Sequence, residues 1–169
     1  MASTSSLFRL AGLVTFVACV SLLGYGYWLQ YREFLDPCPL CVFQRMIYMW
    51  IGAMALLGAL LGWSAAGRWI FGILLTLGGV AGIAIAGRHL WLQSLPADQV
   101  PDCGMGLNYM LDTMPILEVF REVLYGSGEC AEVYWRFLGL SMPGWTFLWY
   151  CVFTVGTIIV LIMANRTRA

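Results

Sequence analysis

Trp69-Ile70-Phe71-Gly72-Ile73-Leu74-Leu75-Thr76-Leu77-Gly78-Gly79-Val80-Ala81-Gly82-Ile83-Ala84-Ile85-Ala86-Gly87 contains no charged side chain. A helix rises ~1.5 Å per residue, so about 20 such residues cross the hydrocarbon core of a bilayer. A buried helix of a soluble bundle needs a polar face, and this run has none. Three more stretches read the same way, over 10–30, 42–62 and 145–164. Glycines such as Gly78, Gly79 and Gly82 suit close helix contact in lipid. Aromatic residues gather at the ends of the runs, among them Tyr25, Tyr27, Trp28, Tyr31, Trp63, Trp145 and Trp149, as interfacial anchors do. The fold expected is an all-α membrane protein, a four-transmembrane-helix bundle formed by a single domain over residues 1–169.

Composition agrees with that reading. The chain is 61% hydrophobic, with a mean hydropathy of +0.80; soluble domains use roughly 45–50% apolar residues. Only 11% of residues are charged, and lysine is absent. Net charge is zero, so nothing points to nucleic acid. The first run lacks a small-x-small cleavage site before Tyr25 and is read as a retained helix, not a cleaved signal.

Charge placement predicts orientation. Arg9, Arg68, Arg166 and Arg168 flank one set of helix ends with no acid among them. Glu33, Asp36, Asp98, Asp102, Asp112, Glu118, Glu122, Glu129 and Glu132 all fall on the other side. The positive-inside rule then puts both termini in the cytoplasm. The loops over about 31–41 and 88–143 face outward, into the oxidising periplasm of a bacterium. Within the longer loop, Thr113 can cap a helix opening at Pro115. Ile116, Val119, Phe120, Val123 and Leu124 recur at helical spacing, which predicts a short amphipathic helix on the membrane surface. Gly126, Ser127 and Gly128 end it and leave Cys130 on a flexible hinge.

Four of the six cysteines lie on that outer side. Cys38 and Cys41 form a Cys-Pro-Leu-Cys motif where the second span begins, with Pro39 suited to a first helical position. A helix N-terminus favours thiolate, so both thiols are expected to have lowered pKa values. Arg45 follows Cys41 by four residues and lies one turn deeper on the same face. An arginine at that depth is costly unless paired or functional. It could steady a Cys41 thiolate, donate to a carbonyl oxygen of a bound cofactor, or snorkel to the interface. Cys103 and Cys130 lie in the long loop. His89, the one histidine, excludes bis-histidine haem and is either an interfacial filler or a proton-handling or quinone-contacting group. The four outer cysteines could be structural disulfides, a redox relay or a Cys₄ zinc site. Zinc is disfavoured, because the second pair lacks CxxC spacing, and no metal is expected. Cys19 and Cys151 sit inside apolar runs and read as inert packing residues.

The stretch Pro37-Cys38-Pro39-Leu40-Cys41-Val42-Phe43-Gln44-Arg45 resembles the quinone-reducing motif of the disulfide bond formation protein B (DsbB) family. So do Ser127-Gly128-Glu129-Cys130-Ala131-Glu132, Trp135-Arg136-Phe137-Leu138-Gly139-Leu140 and Met142-Pro143-Gly144-Trp145. The resemblance covers nearly the whole chain; Pro101-Asp102-Cys103-Gly104-Met105 matches less distinctively. It implies a bacterial inner-membrane protein-disulfide:quinone oxidoreductase, of the relay with DsbA that keeps the periplasm oxidising. It implies redox disulfides Cys38–Cys41 and Cys103–Cys130, with DsbA attacking at Cys103, Cys130 passing the exchange to Cys38, and Cys41 released beside the acceptor. It further implies ubiquinone as acceptor, or menaquinone without oxygen, with Arg45 and His89 as candidate contacts. Two other readings stand beside it. A vitamin K epoxide reductase-like oxidoreductase also pairs a CxxC with loop cysteines, though its motif usually opens a later helix. A non-catalytic membrane scaffold with structural disulfides would show no quinone-dependent turnover.

Overall fold

The computed structural model describes residues 4–34, 37–96, 98–101, 104 and 106–166. Four long helices make the body: α1 (Thr4–Glu33), α2 (Pro39–Leu61), α3 (Ala65–Gln93) and α6 (Met142–Arg166). All four are long and apolar enough to cross a membrane. They extend past the expected spans by several residues at most ends, because interfacial aromatics and polar residues there continue the helical hydrogen bonding. α1 packs on α2, α2 on α3, α3 on α6 and α6 back on α1, which closes a four-helix ring.

The local sequence fixes the helix ends. Pro39 opens α2, and the Cys38 side chain caps it by accepting from the Cys41 backbone N–H at 3.3 Å. Ser64 caps α3 by accepting from the Gly67 N–H at 3.0 Å. Only Gly62, Trp63 and Ser64 separate α2 from α3, so these helices must run antiparallel.

Between the helices, Tyr48 of α2 stacks on Tyr150 of α6 with ring centroids 4.6 Å apart. The Tyr150 hydroxyl donates to the Gln44 backbone carbonyl at 2.7 Å. These contacts tie the bundle across its diagonal. Cys19 lies buried in the same core beside Tyr48 and Ile51, while Cys151 is half-buried. α3 approaches α6 through glycine: a Cβ at Gly79 would run into the Thr154 hydroxyl, and one at Gly82 into the Tyr150 ring. Leu10, Val14, Ile70, Leu77, Val80, Val155 and Ile159 point outward and are exposed. Water would not tolerate so broad an apolar surface, whereas lipid does.

The segment between α3 and α6 folds over one end of the bundle. It holds α4 (Leu107–Thr113), α5 (Ile116–Tyr125), a 3₁₀ turn (Gly128–Cys130) and a hairpin of β1 (Arg136–Phe137) and β2 (Leu140–Ser141). Leu138 and Gly139 make the hairpin turn with φ of 49° and 83°, the positive values of a two-residue type I′ connection. Thr113 does not cap α5, as the sequence suggested. It ends α4, where its hydroxyl donates back to the Tyr109 carbonyl at 2.7 Å, and Pro115 takes the capping position of α5. Val119 and Val123 of α5 are buried against Cys38, Leu40, Leu92 and Cys130, while Ile116 and Leu117 are exposed. Arg88 of α3 holds the C-terminal end of α5 by donating to the carbonyls of Leu124 (3.1 Å) and Tyr125 (2.7 Å).

Candidate active site

Two elements bring their sulfurs to one place. Cys38 caps the first turn of α2, and its Sγ donates to Cys41 Sγ at 2.8 Å. Cys130 arrives from the 3₁₀ turn. Gly126 makes this possible: it leaves α5 at φ 88° and lies so close to Leu92 that a Cβ would collide with that side chain. Cys130 is therefore 0% exposed, not the free hinge the sequence suggested. Its surroundings are Leu40, Leu92, Val119 and Val123, and the Ser127 hydroxyl lies 3.7 Å from its sulfur. The donor atoms of Cys38, Cys130 and His89 lie within 4.8 Å of one another. Cys103 lies outside the described residues, so its place relative to Cys130 is not among these contacts.

The electrostatics at Cys38 run against the simple dipole expectation. A hydrogen bond from Cys130 and one from the Cys41 N–H favour its thiolate, but contact with Cys41, burial and charge repulsion from Cys41 outweigh them. The Cys38 thiol is pushed well above the ordinary thiol range. Cys130 is pushed up as well, first by its hydrogen bond to Cys38 and then by burial.

His89, 2% exposed, enters from the last turns of α3. Its Nε2 lies 3.9 Å from Cys38 Sγ and its Nδ1 3.1 Å from the Gln44 side-chain amide. Gln44 accepts in turn from the Thr146 hydroxyl of α6 at 2.7 Å. Spacing in the sequence could have found Gln44, which follows Cys41 by three residues and so shares its face. Thr146 could not be found that way, because only the bundle brings α6 to it. The Ser141–Gln93 hydrogen bond of 2.7 Å, which joins the hairpin to α3, was equally hidden.

Arg45 lies one turn below Cys41, half-buried. Its Nη1 donates to the Gln30 side chain of α1, and its guanidinium lies 4.7 Å from the centroid of the Tyr27 ring. Both partners are neutral, so they orient the charge without cancelling it. Cys41, Arg45, Gln44 and His89 line one cavity of about 860 Å³. Leu22, Tyr25, Leu29, Trp135, Trp145 and Trp149 supply much of its apolar wall. A large apolar cavity with a few convergent polar groups is the usual form of a cofactor site. Its shape and donors fit a quinone: flat aromatic walls for a ring, and the Arg45 guanidinium for a carbonyl oxygen, with Glu129 and Glu132 also on the lining.

A thiol cluster sealed at one end of a membrane bundle, beside an apolar cavity, defines a membrane-embedded thiol–disulfide oxidoreductase. The family model for disulfide bond formation protein DsbB matches residues 8–160. Proteins named disulfide bond formation protein B are similar throughout. That of Marinobacter nauticus is 47% identical over 93% of this chain and 93% of its own length. That of Hahella chejuensis is 48% identical over 82% and 84%, and that of Chromobacterium violaceum 45% identical over 92% and 92%. The chain belongs to the DsbB family, and it is an oxidoreductase of disulfide bond formation.

Proposed function

We propose that this chain reoxidises a periplasmic DsbA-like dithiol oxidase through Cys103, Cys130, Cys38 and Cys41, and that the electrons pass to a membrane quinone. The observation that carries the order of steps is the meeting of Cys130 with Cys38, and not with Cys41, in the three-donor cluster. The partner's thiolate attacks the Cys103–Cys130 disulfide at Cys103, giving a mixed disulfide and freeing Cys130. Cys130 attacks Cys38 of the Cys38–Cys41 disulfide, and Cys41 leaves as a thiolate facing the cavity. The partner's second thiol then closes its own disulfide and releases Cys103, which attacks Cys130, re-forms the Cys103–Cys130 disulfide and frees Cys38; the Cys38–Cys41 dithiol is left to give up two electrons and two protons and close its own disulfide. A leaving thiol departs faster the better its anion is stabilised, and Arg45 puts a positive charge on that side. His89, held through Gln44 and Thr146, stands where a proton must move between the buried sulfurs.

Cys41, Arg45 and His89 line the space that would hold the quinone, ubiquinone or, without oxygen, menaquinone. When bound, it supplies the two-electron acceptor. The protein's residues orient its ring, exclude water through the Trp135, Trp145 and Trp149 wall, and place the Cys41 sulfur on its side. The bundle lies in the bacterial inner membrane with both termini cytoplasmic, and the exposed Ile116 and Leu117 of α5 rest on the periplasmic lipid surface.

The test is purified protein with a reduced thioredoxin-like partner, followed by quinone absorbance. Partner oxidation should be stoichiometric with quinone reduction and should stop in Cys130→Ser. Undiminished turnover in that variant would remove Cys130 from the path.

A further inference from the structure

We propose that Cys38, His89 and Cys130 of the reduced protein form a binding site for a soft divalent cation, with zinc as its ligand. The donors come from the start of α2, the outer turns of α3 and the 3₁₀ turn, and all three are buried. Their atoms lie within 4.8 Å of one another, and Cys38 Sγ lies 3.9 Å from His89 Nε2. Zinc bonds of ~2.3 Å to sulfur and ~2.0–2.1 Å to nitrogen place tetrahedral neighbours roughly 3.6–3.8 Å apart. The cluster therefore needs only a small closure around an ion. Two thiolates and an imidazole are also the donor chemistry zinc prefers.

The surroundings of His89 supply the support a metal-bound imidazole needs. Thr146 Oγ1 lies 2.7 Å from Gln44 and 2.9 Å from the Pro143 carbonyl, yet a hydroxyl has one proton. If that proton goes to Pro143, the Gln44 amide turns over. Its NH₂ then donates to Thr146, and its oxygen accepts from His89 Nδ1–H. This fixes the tautomer whose Nε2 lone pair faces Cys38, as outer-shell partners of zinc-bound histidines do. Charge agrees as well: Zn²⁺ with two thiolates is neutral, which suits a buried site better than either thiolate alone.

Binding moves no electrons. The Cys38 and Cys130 thiols each release a proton as the ion enters, which leaves one of the four tetrahedral positions to a further ligand. A disulfide at either cysteine withdraws a ligand, so only the reduced protein binds. Zinc would thus hold the relay reduced, a consequence that rests on the function proposed above; the binding itself does not.

The test uses the full chain in detergent, reduced with a phosphine and freed of metal. Titration with Zn²⁺ against a chromophoric chelator should give one tight equivalent, and Co²⁺ should show thiolate-to-cobalt charge-transfer absorption. The oxidised chain should bind none, a control that needs no variant to fold. His89→Ala and Cys130→Ser should each weaken binding at least about tenfold, and Gln44→Leu by about ten- to a hundredfold. Cys103→Ser should bind as the parent does. Equal binding by oxidised and reduced protein, or binding that depends on Cys103 and not on His89, would overturn the site. Quinone turnover measured with a metal chelator present tests the relay separately.

Discussion

Arg45 is the residue whose surroundings say most about its work. Gln30 and Tyr27 hold it at the cavity and are neutral, so neither of them cancels its charge. Arg45→Met removes that charge, and Arg45→Lys keeps it while losing the planar fork of donors. A hydrogen bond to a charged group contributes about 1.5–3 kcal/mol. The apparent quinone KM should therefore rise about ten- to a hundredfold in Arg45→Met and less in Arg45→Lys. Steady-state kinetics at varied quinone concentration would show it; a change within about twofold would mean that Arg45 only anchors α1 to α2. Cys130 carries a pH prediction. Its pKa is raised above the ordinary value of 9.0, so at neutral pH it holds less thiolate than a free thiol does. Alkylation of Cys130 in the reduced protein should be slow at neutral pH and keep rising through pH 9.0, roughly tenfold per unit. A plateau below that value, read by mass spectrometry of the trapped thiol, would contradict the hydrogen bond to Cys38.

At the scale of elements, α5 covers Cys130, with Val119 and Val123 buried beneath it. Arg88 grips its last carbonyls, and Phe120 meets Phe43 edge-to-face at 5.1 Å. Arg88→Ala should loosen α5 by about 1.5–3 kcal/mol and speed Cys130 alkylation about tenfold or more, with the melting of the bundle little changed. Unaltered alkylation would mean that the 3₁₀ turn protects Cys130 without help from α5. The α3–α6 seam behaves differently. Gly79→Leu pushes a side chain into Thr154, and overpacking of this kind costs about 1–3 kcal/mol, which a lowered Tm in detergent would report. The long helices were legible because a charge-free run over 69–87 has few other folds available. Val119 and Val123 showed their periodicity because Glu118, Arg121 and Glu122 fall between the apolar positions at helical spacing. Thr113 misled: its hydroxyl satisfies a carbonyl of its own helix, and α4 was hidden in a stretch too short to show a period. The hairpin was missed because Leu138 takes a positive φ that sequence gives no reason to assign.

For the whole molecule, the arginine asymmetry predicts which way the bundle faces. Reporter fusions after Trp63 and after Ala169 should be active in the cytoplasm, and fusions within 100–129 should be active in the periplasm. A periplasmic C-terminus would invert the proposed relay. The cysteine motif and Arg45 could be read along one helix, because they follow from spacing alone. The encounter of Cys38 with Cys130 and His89 could not, because it depends on how α3 and the 3₁₀ turn close over α2. The cavity was illegible for the same reason, since its walls come from α1, α2, α6 and the hairpin together.

Cys38 has Cys41 at 2.8 Å on one side and Cys130 in the same cluster on the other. A sulfur in a disulfide has one sulfur partner at a time, so the two pairings exclude each other. In the proposed relay Cys38 then works as a turnstile: each electron pair must clear Cys38 before Cys130 can hand on the next. Adding substrate cannot make two passages through Cys38 overlap within one molecule. Above saturation, throughput can grow only with the number of copies in the membrane or the speed at which each one resets.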